Sequence, residues 1–210
     1  MRQLLIATGN SHKLAEIRAV LGPHGVEILG GDDVGGIPSV IEDGASFEEN
    51  AVKKAVETAA ATGRWVLADD SGLEVMALGG APGIFSARYA GEEASDAQNL
   101  AKLLQEMSGV DDRRARFVCV MAFANPAGDV LGTVRGTVSG RLLPSGRGSS
   151  GFGYDPAFVP DRHEITFAEM DSSLKNSISH RSCALQAVLD SGLLKQISDC
   201  PGTGVPVSRE

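Results

Sequence analysis

The first 70 residues alternate short apolar runs with amphipathic stretches, and this alternation constrains the fold more than any other feature. Residues 4–7 and 66–68 are apolar runs, 26–29 is apolar apart from Glu27, and each segment has the length of a short strand. Between them, small and apolar residues recur every three or four positions, as one face of a helix requires. The order strand, helix, strand, helix, strand predicts an α/β fold built on a sheet.

Start and stop signals mark the two predicted helices. The first helix carries Leu14, Ile17 and Leu21, and Gly22-Pro23 stops it. The second begins after Ser46, which has a glutamate three residues later in the spacing of a capping box, and Gly63 ends it.

The rest of the chain predicts two further helices and a hairpin. A helix capped by Ser95 or Asp96 is followed by strands at 116–124 and 130–138, joined by a turn at 125–129. A Gly/Ser-rich loop covers 144–153, and the last helix covers 178–189. We expect residues 1–199 to form a single α/β domain and 200–210 to be a flexible tail.

Composition excludes several classes of function. The 210-residue chain has a formal net charge of −8, which disfavours binding to nucleic acid or to an anionic membrane surface. The three cysteines are widely spaced, so they indicate reduced thiols rather than a disulfide framework or a zinc site. With no apolar run long enough to span a bilayer or to act as a signal peptide, we expect a cytoplasmic protein.

Thr8-Gly9-Asn10-Ser11-His12-Lys13 lies between the first strand and the first helix. A helix N-terminus exposes N–H donors and a positive dipole end, and the lysine adds a charge, so this segment is a candidate phosphate site. The segment lacks the Walker A pattern, and an ordinary strand–turn–helix junction is the alternative.

Asp69-Asp70-Ser71-Gly72 directly follows the third apolar run, and we expect it at the carboxyl end of that strand. Adjacent carboxylates become favourable when a divalent cation offsets their repulsion. The alternative is a turn or a helix cap. Because strand side chains alternate, we expect Asp69 and Asp70 to face opposite ways, so that only one meets a metal directly.

Glu42, with Asp43, precedes the second helix, where it either stabilises the helix N-terminus or provides another metal ligand. The same helix carries Lys53 and Lys54, which point about 100° apart, as successive helix residues do. One of the two lysines is a candidate phosphate contact, and the other a solvated surface charge.

Two later groups are candidates for nucleotide contacts. Phe152 lies between Gly151 and Gly153, which suits stacking on a nucleobase, whereas a glycine turn with the ring packed inward is the alternative. Lys175, His180 and Arg181 form a cationic group near the start of the last helix, where the histidine has an ordinary helix-start position as its alternative.

Together these residues resemble the inosine triphosphate pyrophosphatase family, the Ham1-like non-canonical purine NTP pyrophosphatases. The resemblance spans nearly the whole chain, through five blocks in the family's order and spacing: 8–17, 42–55, 68–91, 151–158 and 173–181. It implies an elongated two-lobed α/β fold, with a central mixed sheet flanked by helices and the active site in the cleft between the lobes. The tail from Cys200 onward extends beyond the family's usual core.

The resemblance also implies an activity and its residues. The activity is Mg²⁺-dependent hydrolysis of ITP, dITP and XTP to the monophosphate and pyrophosphate, by a homodimer, which removes these nucleotides before their incorporation into DNA or RNA. Asp70 is implied as the catalytic carboxylate and, with Glu42, as a metal ligand. The implied substrate-binding residues are Thr8, Gly9, Asn10, Ser11, His12, Lys13, Lys54, Ser71, Phe152, Gly153, Tyr154, Asp155, Lys175, His180 and Arg181.

In this scheme the Asp70 carboxylate orients or deprotonates a water that attacks the α-phosphorus, and Asp69 supports the turn or an outer-shell water. Donors from His180 and Arg181 would pair with O6 of hypoxanthine or xanthine and would confront the 6-amino group of adenine. Two rival hypotheses stay open: a pyrophosphatase whose main substrate is another NTP, and a nucleotide sensor without turnover.

Overall fold

The computed structural model describes residues 2–198, and six strands form one mixed sheet at its centre. Across the sheet the strands lie in the order β2 (Glu27–Leu29), β1 (Gln3–Ile6), β3 (Val66–Val75), β4 (Arg114–Ala124), β5 (Val130–Leu142) and β6 (Phe158–Pro160). β1 runs parallel to β2 and β3, and the other neighbours are antiparallel. The predicted mixed α/β sheet is confirmed.

Five α-helices accompany these strands: α1 (Ser11–Leu21), α2 (Phe47–Thr62), α3 (Asp96–Glu106), α4 (Ser172–Ile178) and α5 (His180–Ser191). The predicted ends of α1 and α2 are confirmed, and α2 stops at Gly63, whose φ of 62° suits glycine. The side chain of Ser46 caps α2 by accepting from the Glu49 N–H, but the Glu49 carboxylate accepts from the Ala45 N–H instead of completing the box. Ser95, rather than Asp96, caps α3.

Three hydrophobic clusters hold the elements together. One lies between the sheet and the helices α1 and α5, around Ile6, Ile17 and Leu185. A second lies on the opposite face, where Ala51 and other alanines let α2 pack closely on β3 and β4. The third surrounds Phe117 at the far end of the long strands and includes residues of α3 and α4. The cleft between the third cluster and the other two is where the expected site residues gather.

β3 is longer than predicted, and Asp69-Asp70 lies within it rather than after its end. The strand covers ten residues and pairs with β4 along its whole length, from Val66 opposite Ala124 to Val75 opposite Ala115. A continuous ladder with a long partner strand outweighs the local turn preference of Asp, Ser and Gly. The expectation that the strand ends before Asp69 was therefore wrong, and so was the alternative of a turn or a helix cap.

The helix predicted over 178–189 is α5, which begins at His180, and a helix that was not predicted, α4, precedes it and meets it at Ser179. Ile178 ends α4 instead of starting the final helix, and Ser179 has extended backbone angles (φ −68°, ψ 158°). Its hydroxyl accepts from the Ser182 N–H, so it serves as the N-cap of α5. The break aims the first residues of α5, His180 and Arg181, into the cleft.

Gly136 of β5 allows α5 to approach the sheet. A Cβ on Gly136 would lie 2.2 Å from the carbonyl oxygen of His180 and 2.3 Å from the Ala184 nitrogen. No side chain fits in that space, so the sheet positions the start of α5 through direct backbone contact.

The remaining expectations have mixed outcomes. The hairpin of β4 and β5 is confirmed, with the Asn125 side chain accepting from the N–H groups of Ala127 and Asp129. Cys119 and Cys183 are free thiols. The expected tail at 200–210 lies outside the described residues. Within residues 2–198, no helix combines the length and the apolar content that crossing a membrane requires.

Candidate active site

β3 carries two buried carboxylates that face opposite sides of the sheet. Asp69 is 2% exposed and Asp70 is 6% exposed. Their contacts confirm the expected alternation, because Asp69 meets side chains of α1 and α5 whereas Asp70 meets side chains of α2.

Asp70 is held from two sides. Its Oδ2 accepts from Nδ2 of Asn50 at 3.1 Å, and its Oδ1 accepts from the Ser71 N–H at 3.1 Å. Burial raises the pKa of Asp70, and the charge of Glu42 acts in the same direction, while Lys54 opposes them. A carboxyl with a raised pKa in a cleft is a candidate for moving a proton.

Lys54 joins Asp70 to Glu42. Its Nζ lies 2.7 Å from Oε1 of Glu42 and 3.7 Å from Oδ1 of Asp70. Although burial opposes it, the surrounding carboxylates raise the pKa of Lys54 and keep it charged. Lys53 points away and pairs at 2.5 Å with the exposed Asp43, so Lys54 is the lysine that faces the cleft.

Glu42 and Asp70 fit Mg²⁺ in chemical kind and in number. Mg²⁺ takes one or two protein carboxylates together with waters and substrate phosphates. These two carboxylates already converge on one cation, the Lys54 ammonium. Within the described residues, no group of three or more His, Cys, Asp or Glu could hold a metal. A metal here would therefore be shared with a bound phosphate chain.

On the other face of β3, Asp69 is the anchor of a buried charge network. Its Oδ2 lies 3.0 Å from Nζ of Lys13, 3.2 Å from Oγ of Ser71 and 3.3 Å from Nη2 of Arg181. Burial alone would raise the pKa of Asp69, but Lys13 and Arg181 outweigh burial and hold the pKa well below its ordinary value. Asp69 is therefore an anionic partner of two expected substrate-binding cations, and its expected role in a turn was wrong.

The network continues across the cleft. Glu16 accepts from Nη1 of Arg181 at 2.5 Å and lies 3.6 Å from Nζ of Lys175, which is also 2.7 Å from Oδ2 of Asp155. Three carboxylates thus alternate with three cations from α1 to the loop that follows β5. This chain of ion pairs fixes the cations relative to one another.

The start of α1 borders a cavity of about 320 Å³. Its lining includes six of the expected residues: Thr8, Gly9, Asn10, Lys13, Glu42 and Lys54. Oδ1 of Asn10 accepts from the N–H groups of His12 and Lys13, so two helix donors are already satisfied. Lys13 and Lys54 therefore provide the positive charge of this cavity, which we name the phosphate cavity.

A second cavity of about 130 Å³ adjoins it and shares Asn10, Lys13 and Ala87 with it. The remaining expected residues in its lining are Ser71, Phe152, Gly153, Tyr154, Asp155, Lys175, His180 and Arg181. Ser11, His12 and Asp70 line neither of the two cavities, and Asp70 adjoins the phosphate cavity through its 3.7 Å contact with Lys54. We name this second space the base cavity.

Phe152 is a wall of the base cavity and not a core residue. Its ring stacks on His12 at a centroid distance of 5.8 Å, and Nζ of Lys175 lies 4.8 Å from the ring centroid. Asp155 holds the loop by accepting from the Phe152 N–H and from Lys175. By contrast, Tyr154 is buried, and its hydroxyl donates to the Ser86 carbonyl, which is a structural contact.

His180 and Arg181 each keep one buried polar atom without a partner in residues 2–198, namely Nδ1 and Nε. The His180 ring stacks on Phe117 at 4.7 Å. Burial, together with the charges of Arg181 and Lys175, lowers the pKa of His180 well below its ordinary value. The imidazole is therefore neutral near pH 7, with one ring nitrogen as donor and the other as acceptor.

Comparison with known proteins identifies the family and the fold. The model of the Ham1 family matches residues 4–191. The chain belongs to the Ham1 family. The chain is 54% identical over 182 residues to the dITP/XTP pyrophosphatase of Syntrophobacter fumaroxidans, covering 87% of this chain and 78% of that one. It is 48% identical over 185 residues to the protein of the same name from Desulfotalea psychrophila, covering 88% and 82%.

Solved structures agree with this placement in the Ham1 family. The structure of a HAM1 protein from Coxiella burnetii matches with a TM-score of 0.83 and 39% identity, covering 91% of this chain and 98% of that one. The suspected family and the α/β fold class are confirmed.

Three polar residues of this Ham1-family chain contact the site but were missed in the sequence. Asn50 and Glu16 belong to the contacts described above, and Asp96 accepts from the Gly153 N–H at 2.8 Å. The helical period carried a signal for two of them. Asn50 falls on the buried face of α2 with Phe47 and Ala51, and Glu16 lies one turn after Lys13. Asp96 carried no such signal.

Proposed function

We propose that this chain hydrolyses non-canonical purine nucleoside triphosphates (ITP, dITP and XTP) to the monophosphate and pyrophosphate. The observation that carries the proposal is the pairing of two adjoining cavities. One is lined by Lys13, Lys54 and Glu42, with Asp70 3.7 Å from Lys54. The other is lined by Phe152 and by His180 and Arg181, each of which keeps one unpartnered polar atom. Family membership and the names of the relatives support the same substrate class.

The phosphate cavity would receive the triphosphate. Lys13 and Lys54 neutralise its charge, and Glu42 and Asp70 would hold Mg²⁺ together with the phosphate oxygens. Mg²⁺ bound there would stabilise charge on the phosphate chain and lower the pKa of a coordinated water.

Asp70 would orient the attacking water and accept its proton. Its raised pKa suits that role, because a base acts best when its pKa approaches the working pH. Attack at the α-phosphorus breaks the bond to the β-phosphate oxygen, and pyrophosphate leaves. Lys54, charged and in contact with both carboxylates, would stabilise the negative charge that develops on the phosphate oxygens.

The base cavity would select the purine. Phe152 stacks on the ring, and the unpartnered groups of His180 and Arg181 would donate to O6. Adenine would leave those buried donors unpaired, which costs affinity. Arg181→Ala should therefore reduce the ratio of kcat/KM for ITP to kcat/KM for ATP, and an unchanged ratio would contradict this assignment.

The deciding experiment measures pyrophosphate release from ITP, XTP, GTP and ATP, with Mg²⁺ and with EDTA. Mg²⁺-dependent release that favours ITP and XTP is expected. Equal turnover of all four would favour the rival pyrophosphatase with another main substrate. ITP binding without turnover would favour the sensor. Phosphate release in place of pyrophosphate would contradict attack at the α-phosphorus.

We also propose that the protein acts as a homodimer in the cytoplasm, in line with the family resemblance. Light scattering of the purified chain tests the dimer, with a mass of twice 21.8 kDa expected.

A further inference from the structure

We infer that Asn50 is a positioning residue. It holds Asp70 and residues 42–44, which we name the Glu42 segment, at the separation a metal ion needs. The inference rests on the proposed function, because it concerns the same two carboxylates. Asn50 lines neither cavity, and nothing in its position suggests contact with substrate.

The Asn50 side chain bridges two segments of the chain. It is completely buried on α2, its Nδ2 donates to Oδ2 of Asp70 at 3.1 Å, and its Oδ1 accepts from the Gly44 N–H at 2.8 Å. One amide thus connects the middle of β3 to the segment that carries Glu42.

The Glu42 segment is shaped to receive this bridge. A Cβ on Gly44 would lie 2.7 Å from Oδ1 of Asn50 and 2.8 Å from Cβ of Glu49, so the segment approaches α2 as closely as only glycine allows. On its other side, Nη2 of Arg88 donates to the Glu42 carbonyl at 3.0 Å. The backbone from the Glu42 carbonyl to Gly44 is therefore fixed.

The bridge also keeps Asp70 away from Lys54. Glu42 lies 2.7 Å from the ammonium, whereas Asp70, held by Asn50 and the Ser71 N–H, stays at 3.7 Å. Without Asn50, the buried carboxylate would lose a donor, and Lys54 is the cation that could replace it. A tighter pair of Asp70 with Lys54 would compete with the metal for the same oxygens.

Asn99 offers a matched control. It is 1% exposed, its Oδ1 accepts from the Ala90 N–H at 2.7 Å, and its Nδ2 donates to the Ala87 carbonyl at 3.0 Å. It makes the same number of hydrogen bonds from a buried helical position, but both go to the backbone. Asn50→Ala and Asn99→Ala therefore each remove the two hydrogen bonds of a buried asparagine, but only Asn50→Ala removes a hydrogen bond to a carboxylate.

The experiment measures Mn²⁺ binding by electron paramagnetic resonance in the presence of α,β-methylene ITP, which cannot release pyrophosphate. Asn50→Ala should weaken Mn²⁺ binding about tenfold, as loss of a hydrogen bond to a metal ligand typically does, whereas Asn99→Ala should not. In turnover, Asn50→Ala should raise the Mg²⁺ concentration for half-maximal rate by a similar factor while the KM for ITP at saturating Mg²⁺ changes little.

A second variant covers the case in which Asn50→Ala does not fold. Gly44→Ala leaves Asn50 in place but displaces its amide, so it should weaken Mn²⁺ binding in the same direction. If the folded variants at Asn50 and Gly44 bind Mn²⁺ as tightly as Asn99→Ala does, the inference is overturned. If the unmodified protein releases no pyrophosphate from ITP, the proposed function fails, and the Mn²⁺ comparison still decides the role of Asn50.

Discussion

Replacing Asp69 with asparagine should destabilise the protein and, at the same time, free Lys13 for the substrate. The substitution keeps the size of the side chain and removes its charge. Within residues 2–198, Asp69 is the carboxylate that Lys13 pairs with, while Arg181 retains Glu16 at 2.5 Å. The charge network would then hold three cations and two carboxylates.

The size of the effect follows from the burial of these partners. Removing one member of a buried ion pair costs about 3–5 kcal/mol, because the other charge stays buried and unpaired. The side chains of Asp69 and Arg181 are 1% and 2% exposed, but that of Lys13 is 17% exposed and partly solvated, which favours the lower end of the range. About 3 kcal/mol corresponds to a midpoint lower by about 6–12 °C in a chain of this size.

Thermal unfolding of Asp69→Asn and of a control, Glu164→Gln, would test this prediction. Glu164 pairs with Arg141 at 2.9 Å on the surface, and its loss should cost less than about 1 kcal/mol. Adding inorganic pyrophosphate should raise the midpoint of Asp69→Asn more than that of the unmodified protein, because the anion replaces the missing charge. Equal midpoints for the two variants would refute the reasoning.

The pH dependence of stability provides an independent check on the unmodified protein and Asp69→Asn. Because the pKa of Asp69 is lowered in the folded state, its stabilisation is complete above its unfolded pKa of about 3.9 and is lost as the pH falls through the folded value. The difference between the unmodified protein and Asp69→Asn should therefore be constant from about pH 5 to pH 8 and should shrink in stronger acid.

Three further predictions concern the other parts of the site. Because burial raises the pKa of Asp70, the charged carboxylate costs stability once the pH exceeds the folded pKa. Asp70→Asn should therefore raise the unfolding midpoint at about pH 8, and a lower midpoint would contradict this reasoning. The same substitution should lower pyrophosphate release by about 10²- to 10⁴-fold. Phe152→Ala should weaken ITP binding by about 1–3 kcal/mol in calorimetric titration while Phe152→Tyr retains it, and equal affinities would exclude stacking. Gly136→Ala should lower the free energy of unfolding in urea by about 1–3 kcal/mol, because the added Cβ meets the backbone of α5. In Gly132→Ala the added methyl meets the flexible side chain of Leu193 at 3.5 Å and should cost less. Equal losses of stability in the two variants would contradict the close contact at Gly136.

Local signals in the sequence were sufficient for α1, α2, α3 and α5 and for the class of the fold. Ser46, Gly63 and Ser95 mark real helix ends because caps depend on a few neighbouring residues. The continuation of β3 was not predictable in this way, because its hydrogen bonds come from β4, more than 40 residues later. α4 was missed for a different reason, because its seven residues contain only two apolar positions, too few to show a helical period.

For the candidate site too, some features could be predicted from the sequence and others could not. Its cations and Asp70 were predicted because the family's motifs include them, but the contacts between them were not. Asp69 was expected to support a turn or an outer-shell water, because the strand was expected to stop before it. Glu16 and Asn50 lie on helix faces that look ordinary until their partners from distant segments are placed beside them.

The alternation along β3 has a consequence for how this family can vary. Asp69, which pairs with Lys13 and Arg181, and Asp70, which faces the proposed metal, are adjacent residues. Only the register of β3 places the two carboxylates on opposite faces of the sheet. An insertion or deletion of one residue within β3 would exchange the two carboxylates and disable both halves of the site together. Length changes should therefore be tolerated in the loops, such as the turn at 125–129, and be absent from the middle of this strand.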